Sequence, residues 1–181
     1  MPGDVGGEGG FGVGGLGEWE ADVRRLAHAC DVGKADYMEP RYFHLRPEAP
    51  PPDLITGPYR IVIVADQVVT DDWLNRIAEW IVAVGSLYVV AWGVDCEKWH
   101  DAVDWAVLAV FEFGDIPDDR FIMTTWHSDE PISEAFWFAG HCATHPDVEL
   151  TETIILHIAE DAHGARLLRT FRDSQTLADD A

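Results

Sequence analysis

From residue 60 onward the chain alternates between short unbroken apolar runs and longer segments whose apolar side chains return every three or four positions. Residues 60–66, Arg-Ile-Val-Ile-Val-Ala-Asp, are a β-branched run of the kind buried on both faces of a parallel sheet. Thr70, Asp71 and Asp72 then cap a helix whose Leu74, Ile77, Ala78, Ile81 and Val84 share one side, and Gly85 stops it. Residues 87–92 repeat the buried-strand pattern. Gly93 gives the turn, and Asp95 caps a second helix that directs Trp99, Val103, Ala106, Val107 and Val110 inward. Past a turn at 114–119, residues 121–126 make a third strand, and Pro131 opens a helix with Ile132, Ala135, Phe136, Ala139 and Ala143 inside. A fourth strand covers 153–159, and 165–171 reads as a terminal helix in preference to the return arm of a hairpin.

Strands alternating with helices of this length predict a small three-layer α/β domain, Rossmann-like or flavodoxin-like, with a mainly parallel sheet of about four strands. Strand orders 2-1-3-4 and 3-2-1-4 both satisfy right-handed crossovers. Upstream the pattern changes. Residues 1–17 hold nine glycines and too few apolar side chains to offset the entropy of ordering them, so they read as a disordered tail. Residues 18–58 read as a short helix, carrying Trp19, Val23, Leu26 and Ala27 on one side, followed by a proline-rich linker at 46–52. The α/β domain is accordingly expected at 59–181.

Charge restricts the partners. The chain has 12 Lys and Arg against 33 Asp and Glu, a net charge of −21, and residues 59–163 alone carry −16. Such a field repels a phosphate backbone and disfavours direct nucleic-acid binding; it suits a basic protein partner or a metal cation. Three cysteines, Cys30, Cys96 and Cys142, show no C-x-x-C spacing and are read as reduced thiols. With no signal-peptide pattern and no bilayer-length apolar run, a soluble cytoplasmic protein without membrane contact is expected.

Several chemistries lack their residues. The loop after the first strand, residues 66–72, has no glycine, so neither a dinucleotide fingerprint nor a Walker loop is present. The only lysines are Lys34 and Lys98, which leaves no lysine beyond a late strand to hold a phosphoryl group, and no G-x-S-x-G occurs. No cofactor is therefore expected.

What remains is a row of polar groups at strand C-termini: Asp66, Asp95, His127, Asp129, Glu130, and His157 or Glu160. Ligands of open α/β sheets sit beyond those ends. His127, Asp129 and Glu130 are the catalytic candidates, and with Asp66 they offer carboxylate and imidazole donors to Mg, Mn or Zn. Trp92 and Trp126, also at strand ends, are candidate binding residues with Asp66 and Asp95, because aromatics anchor interfaces. The bland alternatives are helix caps for the acids and core packing for the tryptophans. His141 and His145 have the H-x3-H spacing of a zinc pair, yet Pro146 ends the helix there and favours a structural terminus. Cys96 begins a helix but is flanked by Asp95 and Glu97, and reads as an inert thiol; His100 and Asp104 form an ordinary i, i+4 pair.

The run Trp92-Gly93-Val94-Asp95-Cys96-Glu97-Lys98-Trp99-His100-Asp101, with residues 113–119 and Met123-Thr124-Thr125-Trp126-His127, resembles an uncharacterised bacterial family known as a domain of unknown function. The resemblance covers roughly 59–160 and implies no activity. Trp126-x-x-x-Glu130 is similar to a spacing in some TIR-domain proteins, without the catalytic arrangement of those that cleave NAD. Two functions follow as expectations. One is an acidic protein-binding or regulatory module, such as an inhibitor or immunity protein; the alternative is a metal-dependent hydrolase using strand-end carboxylates and His127.

Overall fold

The computed structural model describes residues 39–176. The expected tail at 1–17 and the short helix after it lie outside the described residues, as does Cys30. In chain order the elements are β1 (Arg41–Leu45), β2 (Tyr59–Ala65), α1 (Asp71–Ala83), β3 (Ser86–Gly93), α2 (Cys96–Val110), β4 (Met123–His127), α3 (Ile132–His141), β5 (Glu152–Ile158) and α4 (Gly164–Ser174). The five strands form one sheet in the spatial order β1-β5-β2-β3-β4, every neighbouring pair parallel.

Side-chain alternation divides β2 between two cores. Ile61, Ile63 and Ala65 pack with Trp73, Ile77 and Ile81 of α1 and Trp99, Val103 and Val107 of α2. Val62 and Val64 pack on the other face with Phe136 and Ala139 of α3 and Leu167 and Phe171 of α4. Both faces are covered, which is why the strands read as continuous apolar runs. Thr70 caps α1 as expected, its hydroxyl accepting from the Trp73 N–H at 3.4 Å. Asp95 precedes α2 in a left-handed conformation and makes no side-chain cap; its carboxylate meets Lys98 at 3.4 Å. Val110, expected inward, is the last residue of α2 and is 55% exposed.

Two expectations need correction. The sheet has five strands, since 41–45, read as irregular, is a strand paired to β5 along its whole length. The α/β layers thus begin upstream of 59, and the proline-rich run is a crossover from β1 to β2 inside the domain. It is held there by Trp73, whose indole N–H donates to the Ala49 carbonyl at 2.8 Å, and by Ala49 and Leu54 packed on the core. Proline supplies no periodicity and no N–H, so nothing in that pattern marks it as packed. The four expected strands stand in the order 3-2-1-4, one of the two anticipated, with the extra strand at the edge beyond the fourth.

That order places the chain's reversal at the sheet's centre. β2 leads by α1 and α2 to β3 and β4, and the chain then returns under α3 to β5 on the other side of β2. The crevice between loops that leave β2 and β5 for opposite faces is the topological switch point, where such folds bind ligands.

Candidate functional site

The pairing register sets one row of side chains across the C-terminal rim, on the face of α3 and α4: His44, His157, Val64, Trp92 and His127. Strands lie about 4.8 Å apart, so His157 and His127 stand on the order of 14 Å from each other. The rim therefore holds two separate polar clusters.

The first lies at the switch point. His157 on β5 is fully buried. Its Nε2 is 2.9 Å from Asp66 Oδ2, and its Nδ1 is 2.8 Å from the Tyr42 hydroxyl on β1. Asp66, as a carboxylate, only accepts, so Nε2–H donates to it and Nδ1 accepts from Tyr42. The Tyr42 oxygen in turn accepts the backbone N–H of His163 at 3.2 Å, and the His163 ring brings Nδ1 to 3.9 Å from Asp66 Oδ2. His44 stands beside His157, ring centroids 5.8 Å apart, its Nε2–H donating to the Ala159 carbonyl at 2.8 Å. Burial pushes the His157 imidazole below its ordinary value, with Asp66 opposing that shift and the His44 and His163 rings adding to it. Burial likewise raises the Tyr42 phenol, against the His163 N–H.

A pH dependence follows. The unfolded imidazole titrates near its ordinary 6.5, whereas the folded ring resists protonation until lower pH. Stability from this site is complete above 6.5 and falls as pH drops from there through the depressed folded value. Asp66, His44, His163 and Tyr42 are the titratable groups facing the ring. Urea midpoints are expected to fall more steeply between pH 7 and pH 5 in the wild type than in His157→Gln; equal slopes would be incompatible with a buried neutral His157.

The second cluster closes around the end of β4. His127 is buried, with Nδ1–H donating to Glu130 Oε2 at 2.8 Å, while Nε2 has no hydrogen-bond partner among the described residues. The Trp92 indole N–H donates to the Glu130 carbonyl at 2.8 Å, and His127 packs on Phe138 with ring centroids 5.0 Å apart. The free thiol of Cys96 lies beside the His127 backbone N–H; burial dominates and raises its pKa, which is the wrong direction for a nucleophile. Asp129 is exposed, its carboxylate accepting from the Ser128 hydroxyl at 3.4 Å. On the opposite face Trp126 is 39% exposed and packs on His100, ring centroids 4.5 Å apart. His100 lies 3.6 Å from Asp104, which accepts from Thr124 at 2.7 Å. Burial raises the Asp104 carboxyl against that hydrogen bond.

The residues singled out from the sequence thus fall into separate groups. Asp66 joins His157; His127, Glu130 and Trp92 stay together; Asp95, Asp129 and Trp126 join neither. His141 directs Nε2 to the Gln175 carbonyl at 3.3 Å. His145 uses both nitrogens, Nε2–H to the Phe121 carbonyl and Nδ1 accepting from the Asp147 and Val148 N–H groups. It has no lone pair left for a shared ion. Cys142 is disulfide-bonded, where a reduced thiol was expected.

Tyr42, His44 and His163 were not legible as site residues. The first two lie on the unrecognised strand, and His163 in a turn whose Gly164 masks its position at a helix start. The aligned Phe-His at 43–44 and Leu-His at 156–157 are the one signal available, since two strands then carry histidine at equal distance from their ends.

A family model described as Domain of unknown function (DUF7684) matches residues 40–174. No curated protein and no solved structure matches the chain.

Proposed function

The chain belongs to the family described as a domain of unknown function, and from the geometry we propose that it is a protein-binding or regulatory module whose partner presents a basic surface. The observation that carries this reading is an aromatic pair in an acidic setting. Trp105 on α2 and Phe113 just beyond it are 63% and 67% exposed, yet pack on one another with ring centroids 6.2 Å apart. A soluble domain gains nothing in its own stability from aromatic area left in water; paired exposed aromatics are the usual anchors of an interface. Eight acidic residues against Lys98 and Arg120 occupy 95–120, so the anchors stand in a negative field. Val110, also exposed, borders an open cavity of about 370 Å³ lined further by Pro58, Gly85, Phe111 and Ile122. No helix among the described residues is long and apolar enough to cross a membrane.

Affinity capture from the native host at moderate salt tests this. The wild type is expected to recover a stoichiometric partner, released as salt rises. Trp105→Ala with Phe113→Ala should abolish recovery at unchanged circular dichroism. Recovery indifferent to the double substitution would overturn the reading.

The alternative, a metal-dependent hydrolase using Asp66 with His127, finds its two arms on strands two apart, on the order of 10 Å at the backbone. A hydrolase at this rim is supported only around Asp66, His157 and His163.

A further inference from the structure

We propose that Asp66, His157 and His163 form a binding site for a divalent cation of the zinc class at the switch point of the sheet. The three offer one carboxylate oxygen and two imidazole nitrogens, all within 4.8 Å of one another. Zinc takes nitrogen and oxygen donors near 2.0–2.1 Å in a tetrahedron, which sets donor atoms about 3.3 Å apart. The present separations from Asp66 Oδ2, 2.9 Å to His157 Nε2 and 3.9 Å to His163 Nδ1, bracket that value. His163 is half-exposed and Asp66 one-third exposed, so both are free to adjust, while His157 is fixed by burial.

The surroundings of His157 match what a metal-bound imidazole needs. A ligating histidine donates its other N–H to a fixed acceptor, which sets its tautomer. Tyr42 occupies that position, 2.8 Å from Nδ1. Without a cation the ring proton resides on Nε2, toward Asp66. Cation binding moves it to Nδ1 and leaves the Nε2 lone pair for the ion. The phenol serves both states because it donates to Nδ1 in the first and accepts from Nδ1–H in the second. The proton changes nitrogen and none is lost from the ring, so a wholly buried histidine accepts the ion without a buried charge of its own. Three protein ligands leave a fourth position for water, as in zinc sites that do chemistry rather than those that only hold structure. Mg, which prefers oxygen donors and keeps its own waters, fits this set poorly.

The site shares no residue with the Trp105 and Phe113 surface, so either proposal survives the failure of the other. The test is calorimetric titration of the full chain with zinc chloride, followed by cobalt substitution read by absorption. The expected result is one equivalent of zinc, a thermal midpoint raised by roughly 5–10 °C at a hundredfold excess over Kd, and four-coordinate cobalt bands. His163→Ala, a surface change, and Asp66→Asn should each weaken binding by more than tenfold, and Tyr42→Phe by about 10–100-fold. Magnesium should not compete. Absence of binding in the wild type, or zinc affinity unchanged in both His163→Ala and Asp66→Asn, overturns the proposal.

Discussion

Gly93→Ala is expected to destabilise the domain by at least about 3 kcal/mol and to lower its thermal midpoint by roughly 10 °C. Gly93 ends β3 with φ +98°, a conformation that side chains disfavour. A Cβ built there meets the Ala65 carbonyl oxygen at 2.2 Å and its carbon at 3.1 Å. The obstacle is backbone, so no rotamer change relieves it. Ala65 is Gly93's partner in the β2–β3 ladder, and its carbonyl also accepts the Val94 N–H at 2.8 Å. Relief therefore requires parting the two central strands where β2 hands over to Asp66. Urea denaturation monitored by circular dichroism measures the loss. Gly85→Ala, with φ +80° and a closest contact of 2.9 Å, provides a milder reference and should lose less. If Gly93→Ala falls within 1 kcal/mol of wild type, the close approach of β2 and β3 at their ends is not as described.

How many faces an element buries explains why some of the fold was legible and some was not. β2, β3 and β5 are central strands buried on both faces, and burial on both faces leaves an unbroken apolar run. α1 and α2 each cover one face and so carry a periodic stripe. β1 is an edge strand with arginine, tyrosine and histidine among its five residues, and only Leu45 is buried. An edge strand with a single buried side chain and its tyrosine and histidine half-buried leaves no unbroken apolar run to read. Strand order was legible only in part, since crossover handedness left two orders open, one of them the order found, without choosing between them. The order nevertheless decides the site, because it seats β5 between β1 and β2 and so brings Tyr42, His157 and Asp66 together. His127 looked central because its polar neighbours are consecutive in sequence. The switch-point cluster draws on residues 42, 66, 157 and 163, and no local window contains them.

Trp99→Ala is expected to cost about 3–5 kcal/mol, with Trp99→Phe costing less than half as much. Trp99 is fully buried and meets Trp73 edge to face, ring centroids 6.1 Å apart at 86°. Alanine opens a cavity in the core beneath α1 and α2 and forfeits the aromatic pair, itself about 0.5–1.5 kcal/mol. Phenylalanine keeps an aromatic partner for Trp73. It also removes a buried indole N–H that has no hydrogen-bond partner among the described residues, a group that costs about 1–3 kcal/mol to leave unsatisfied. The two variants thus separate lost packing from a relieved polar debt, and equal losses would mean that the indole N–H is hydrogen-bonded in solution. The effect extends to binding. Trp99 seats α2, and the same helix presents His100, Asp101, Asp104 and Trp105, so a loosened α2 misplaces the acidic aromatic surface. Capture of the basic partner should therefore fall in Trp99→Ala and persist in Trp99→Phe. Zinc binding at Asp66, on the far side of β3 from that surface, should persist in Trp99→Phe as well.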